Sequence, residues 1–134
     1  MMKKIAQFLA AITLMMIVIS CKNTKQKLQE YVTTYNSQAG NFKEENIKLT
    51  TARGYINDNK IELRFETDLQ QNEDNKAASS LSFPKLLVKM VKKDQISKEL
   101  IEEGVQFDAY FLANDNTVLA KEIINKEELN ALLK

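Results

Sequence analysis

Histidine and tryptophan are absent from this chain of 134 residues, cysteine and proline occur once each, and there are three glycines. Without histidine there is no Ser-His-Asp or Cys-His catalytic set and no His-based zinc site. A single cysteine forms no disulfide within the chain and no Cys-based metal cluster. The glycines, Gly40, Gly54 and Gly104, stand far apart, so no glycine-rich loop can cradle a phosphate. With so little Gly and Pro the chain is neither low-complexity nor disordered as a whole. Charge of one sign is also missing: 19 basic residues face 18 acidic ones. A nucleic-acid partner calls for a basic face that displaces counterions, so none is expected. No cofactor motif is present.

What is there begins at the N-terminus. Lys3 and Lys4 form a short positive region, and Ile5 to Ile19 form an apolar run broken only by Gln7 and Thr13. As a helix that run is about 22 Å long. It falls short of the roughly 20 residues that span a bilayer core and suits the apolar region of a secretory leader. The run ends at Val18-Ile19-Ser20-Cys21, with small Ser20 just before the lone cysteine. This resembles the lipobox of bacterial lipoproteins. The resemblance implies that the Cys21 thiol receives a diacylglyceryl group and that residues 1–20 are then removed, leaving Cys21 as the acylated first residue. Several acyl chains anchor stably where one binds only marginally. An odd cysteine in an exported protein needs an explanation, and lipidation supplies one. Loss of Lys3 and Lys4 takes the 19 basic residues to 17 against 18 acidic, a formal charge of −1. Neither Lys22 nor Asn23 is an aspartate, so the inner-membrane retention signal of some lipoproteins is missing and the outer membrane is favoured.

The rest reads as one domain by length. Residues 21–27 form the lipidated cysteine and a polar tether, whose Lys22, Lys25 and Lys27 can touch anionic headgroups. Residues 28–134 form the domain. Leu28, Tyr31, Val32 and Tyr35 have helical spacing. Ile47 to Ile56 reads as a strand with Ile47, Leu49 and Tyr55 on one side. Asn57-Asp58-Asn59 is turn chemistry. Ile61, Leu63, Phe65 and Thr67 then alternate with Glu62, Arg64, Glu66 and Asp68, a strand with one buried and one wet face. Gln70 to Ser80 reads as a long polar loop. Ser82 is positioned to cap a helix that has Pro84 in its first turn and Phe83, Leu86, Leu87, Met90 and Val91 on one face. Asp94 is positioned to cap a second helix that stops at Gly104. Val105 to Leu112 alternates as a strand, Asn114-Asp115-Asn116 repeats the turn chemistry, and Thr117 to Ile124 returns. Asn125 and Glu128 form a capping box for a last helix over Lys126 to Leu133. The expected fold is α+β: a four-stranded antiparallel sheet with helices packed on one face, in the order α-ββ-αα-ββ-α. With the lipobox, the pattern is similar to that of small envelope lipoproteins of Bacteroidota.

Only carboxylates remain for catalysis. Glu62, Glu66 and Asp68 share the wet face of one strand beside Arg64, a solvated sheet face rather than the buried carboxylate pair that acid–base work needs. Asp58 and Asp115 are turn residues outside any twelve-residue calcium loop. Tyr31 and Tyr35 are expected to close the core. Tyr110 and Leu112, opposite Phe107 and Phe111, either form the candidate partner surface or lie under the loop Gln70 to Ser80. The expectation is therefore a lipid-anchored cell-envelope protein, held by acyl chains on Cys21, with a non-enzymatic domain that binds an unidentified protein, as an inhibitor or immunity factor would. The alternative is a carrier of a small apolar ligand lodged between Phe65, Phe107 and Leu87.

Overall fold

The computed structural model describes residues 23–44 and 46–133. The expected leader at 1–20, the expected lipidation residue Cys21, and Lys22 lie outside the described residues. The elements are α1 (Thr24–Gln38), β1 (Ile47–Tyr55), β2 (Lys60–Thr67), α2 (Glu73–Lys92), α3 (Lys98–Glu102), β3 (Gln106–Leu112), β4 (Val118–Ile124) and α4 (Lys126–Leu132). This is the expected α+β order, with the four strands in one sheet as β1-β2-β3-β4.

The sheet is mixed rather than wholly antiparallel. β1 pairs with β2, and β3 with β4, in antiparallel fashion, but β2 and β3 run parallel. The reason lies in residues 68–105, where α2 and α3 carry the chain back to the end at which β2 began. A crossover with its own helices is what parallel neighbours require.

α1 starts earlier than its apolar spacing indicates. The Asn23 side chain accepts from the Gln26 N–H and the Gln26 side chain accepts from the Asn23 N–H, a complete capping box. Residues 24–27, expected as tether, are therefore helix.

α2 takes in most of the expected loop. Asn72 Oδ1 accepts from the Asn75 N–H at 2.8 Å, and Glu73 and Asp74 sit in the first turn, where the helix dipole favours them. Ser82 is therefore not a cap, and Pro84 lies inside the helix. An interior proline removes one hydrogen bond and costs about 3 kcal/mol. Burial of Phe83, Leu87, Met90 and Val91 offsets that cost, since each fully buried side chain of this kind contributes about 1.5–3 kcal/mol. Asp94 takes a left-handed conformation, φ 60°, instead of capping, and Ser97 caps the short α3. Gly104 ends that segment at φ 99°, where a Cβ would be strained.

One core lies between the sheet and the helices. Ile61, Leu63 and Phe65 of β2 and Phe107, Ala109 and Phe111 of β3 form its floor; Leu28, Phe83, Leu87, Ile101 and Leu129 come down from the four helices. The alternation expected for β2 and β3 holds on this face. β1 differs. Its buried residues are Thr50 and Ala52, while Leu49 is 45% exposed. Small side chains are needed here because α1 lies close: a Cβ on Gly54 would meet Leu28 Cδ2 at 2.8 Å and Val32 Cγ2 at 3.3 Å.

Candidate functional site

With the helices on one side, the other face of the sheet is left open. Strand register sets its residues in rows. Thr51, Arg64, Tyr110 and Lys121 form one row across all four strands, and Arg53, Glu62, Asp108 and Ile123 form the next. Thr51, Arg53, Arg64 and Lys121 are exposed, and Tyr110 is half-buried. Val118 and Ile123 of the edge strand add exposed apolar surface.

The acids of this face are largely satisfied within it. Asp108 is buried, accepts from Gln106 Nε2 at 2.7 Å and lies 3.6 Å from Lys60 Nζ. Glu62 accepts from the Tyr55 hydroxyl at 3.3 Å. The Tyr55 ring in turn sits 5.4 Å from the Arg53 guanidinium and 4.9 Å from Lys60 Nζ, and the Tyr110 ring 5.2 Å from Lys121 Nζ, within cation–π range. Among the described residues Arg53, Arg64 and Lys121 make no salt bridge. Three exposed cations, Arg53, Arg64 and Lys121, therefore stand around two tyrosine rings, with half-buried Glu66 in the neighbouring row.

Leu112 does not join this surface. Register puts it in a row with Leu49, Glu66 and Val118, but its side chain is 2% exposed. β3 and β4 slip register at Phe111/Leu112; Thr67 Oγ1 donates to the Leu112 carbonyl, and the Asn114 N–H donates to that of Leu69. The chain closes round Leu112 there, and of the two sequence candidates only Tyr110 offers surface. Sequence reading passed over Arg53 and Arg64. Strand alternation marks Arg64 only as a solvated charge; the row around it needs the register between strands.

The place an apolar ligand would need, between Phe65, Phe107 and Leu87, is filled. All three are buried, Phe65 meets Phe83 edge-on at 5.5 Å, and Tyr31 meets Phe107 at 5.3 Å. Surface grooves lie beside the core, two of them over its aromatic residues. One, about 390 Å³, runs between Tyr31, Tyr35, Phe42, Thr50 and Gln95. Its two phenols are engaged: the Tyr31 hydroxyl donates to the Gln95 carbonyl, and the Tyr35 hydroxyl pairs with Thr50 Oγ1 at 2.6 Å. Burial raises the Tyr31 phenol well above its usual range, with Tyr35 and Asp94 adding to the effect. Burial likewise pushes Tyr35 up to about 12, against a smaller lowering by Thr50. These rings close the core at the end of α1. The other groove, about 520 Å³, lies over Phe83, Phe111, Ile47 and Leu69, with the Lys89–Glu44 ion pair at 2.7 Å among its lining residues.

No family model matches the chain, and no curated protein matches it. A solved structure, that of the type II secretion system pilotin AspS from Vibrio cholerae, is similar over 76% of this chain and 94% of that one, at 13% identity and a TM-score of 0.37. A likeness of that degree supports no conclusion about function.

Asp58 stays in a turn, the 3-10 segment Ile56–Asp58. Asp115 accepts from both the N–H and the hydroxyl of Thr117, which hold its carboxyl below the usual range. Among the described residues no group of three or more cysteine, aspartate or glutamate side chains is arranged to hold a metal ion.

Proposed function

We propose that this protein is a lipid-anchored lipoprotein of the cell envelope, of the outer membrane by preference. Its domain is not an enzyme; it binds another protein through the open face of the sheet. The observation that carries the reading is the row Thr51, Arg64, Tyr110 and Lys121, bare of any helix and flanked by Arg53 and Tyr55. Arg and Tyr are the residue types that dominate binding energy at protein interfaces. The exposed cations select a partner whose matching patch is acidic, because opposed potentials speed encounter and reject like-charged surfaces. An inhibitor or immunity factor acting on an envelope protein fits this description.

Size sets the kind of complex. Four strands about 4.8 Å apart and seven residues long at about 3.4 Å each give a footprint on the order of 450 Å². A stable complex buries about 800 Å² on each partner. The face alone therefore supports an exchangeable complex, and a tight one must also use a sheet edge.

Position-specific photo-crosslinking in the native envelope tests the reading. A photoreactive residue at Thr51 or Tyr110 should give one and the same adduct, and one at Lys85 or Lys98 on the helix side should give none. An adduct from the helix side alone would place the interface on the wrong layer.

A further inference from the structure

The capping box at Asn23 changes what the anchor does. This inference rests on the lipoprotein reading. If Cys21 carries the acyl chains, only Lys22 separates it from Asn23, the cap of a helix that is already packed into the domain. Two residue steps reach at most about 7 Å. No flexible tether is left. We infer that the domain stands directly on the lipid surface, with one defined end toward the membrane.

Contacts along α1 identify that end. Leu28, near its start, lies over Gly54, while Tyr35 and Asn36, near its finish, bond Thr50 and Ala52. α1 thus runs from the Gly54 end of the sheet toward its middle. The start of α1 is also tied to α3. Thr24 Oγ1 donates to Glu103, and Lys27 Nζ lies 3.0 Å from both Glu99 and Glu103. Hydrogen bonds to these two carboxylates hold the Lys27 ammonium above its ordinary pKa. The membrane end therefore consists of the start of α1, α3 and the turn Ile56–Asn59. Lys27, expected to reach for headgroups, is instead engaged with Glu99 and Glu103, and Lys126 lies 3.8 Å from Glu102. With Lys27 and Lys126 paired internally and Lys25 exposed on the first turn of α1, the covalent linkage is the main hold of this end on the lipid.

The turn Asn114–Asn116, where β3 passes to β4, marks the opposite end of the sheet. It lies about 23 Å away, seven residues at about 3.3 Å each. The whole open face then lies within roughly 30 Å of the bilayer, the span of a strand added to the reach of the linkage. The partner it fits is one that is itself in or on the same membrane and carries its acidic patch close to the lipid, rather than a freely diffusing protein reached on a long leash.

The test uses the full lipidated chain in vesicles of phosphatidylethanolamine and phosphatidylglycerol that contain a headgroup-linked acceptor dye. Asn57→Cys and Asn114→Cys each supply one free thiol for a donor dye, since Cys21 is blocked by its thioether. Energy transfer from position 57 should exceed that from position 114 severalfold. An insert of about ten Gly and Ser residues between Lys22 and Asn23, spanning roughly 18 Å on average, should remove the difference. Equal transfer at the two positions in the uninserted protein, or an insert without effect, overturns the inference. Fatty-acid labelling run in parallel separates the two readings: absence of label at Cys21 would end the anchor reading and this inference with it, whereas label present with equal transfer ends only this one.

Discussion

Asn36 is where α1 touches the exposed backbone of the edge strand. Its Oδ1 accepts from the Ala52 N–H at 2.8 Å and its Nδ2 donates to the Ala52 carbonyl at 2.9 Å. Among the described residues β1 pairs only with β2, so these two groups of Ala52 would otherwise face solvent as a template for another strand. Each such bond contributes a net ~0.5–1.5 kcal/mol. Asn36→Ala should therefore cost about 1–2 kcal/mol, toward the low end because water can reach the edge. Asn36→Asp is the sharper perturbation. One carboxylate oxygen can still accept from Ala52, but the other then faces a carbonyl oxygen at hydrogen-bond distance. That repulsion raises the carboxyl pKa in the folded state above the unfolded value of ~3.9. A raised folded pKa means that the stabilised form is the protonated one: the Asp variant is at its best below about pH 4 and loses stability as pH rises through the folded pKa. Urea unfolding followed by circular dichroism at pH 4 and pH 7, on a version starting at residue 22, should show Asn36→Asp below Asn36→Ala at pH 7 and the gap narrowing at pH 4. An Asp variant as stable as wild type at pH 7 would refute the pairing of Asn36 with the strand edge.

Three further outcomes are expected. Phe65→Ala removes a fully buried ring that contacts Phe42 and Phe83 and should cost about 3–5 kcal/mol, whereas Arg64→Ala on the open face should change urea stability by no more than about 0.5 kcal/mol; the reverse result would invert the sheet. Because burial holds the Tyr35 phenol at about 12 against ~10 in the unfolded chain, its contribution is complete below about pH 10 and is lost as pH rises toward 12. Alkaline unfolding should accordingly be less steep in Tyr35→Phe, and an unchanged slope would argue against the buried phenol. Cys21→Ala should abolish labelling by a clickable fatty acid and leave an unprocessed precursor, and equal labelling of both forms would end the lipoprotein reading.

The core strands were legible because their period was clean: Ile61, Leu63 and Phe65 alternate with charges, and the structure buries all three. β1 was less legible: its spacing sets Ile47, Leu49 and Tyr55 on one side without deciding which side is buried, and the closeness of α1 demands small residues, Thr50 and Ala52, beneath it. Residues 73–80 carry no apolar stripe, so their helix had no periodicity to betray it. Its one local sign was Asn72 followed by two acids, with Ala77 and Ala78 behind. The parallel pairing of β2 and β3 was hidden because two turns of like chemistry suggested two hairpins laid side by side. Strand direction depends on where the crossover returns the chain, which is a tertiary matter. For the open face, strand alternation identified Tyr110, but the row it shares with Thr51, Arg64 and Lys121 required the register between strands. Leu112 followed the same alternation and was lost to a bulge that no local pattern announces.

The central claim is that the open sheet face is the binding surface. Its most direct test is the affinity of the protein captured by crosslinking at Tyr110, measured against the wild-type chain, Arg64→Glu and Lys85→Glu. Arg64→Glu places a negative charge in the middle of the row and should weaken binding at least about tenfold, or ~1.4 kcal/mol, with the circular dichroism spectrum unchanged. Lys85→Glu, on α2 in the helix layer, should bind as wild type. A partner that ignores Arg64→Glu and is lost with Lys85→Glu would contradict the account and move the function to the helical side.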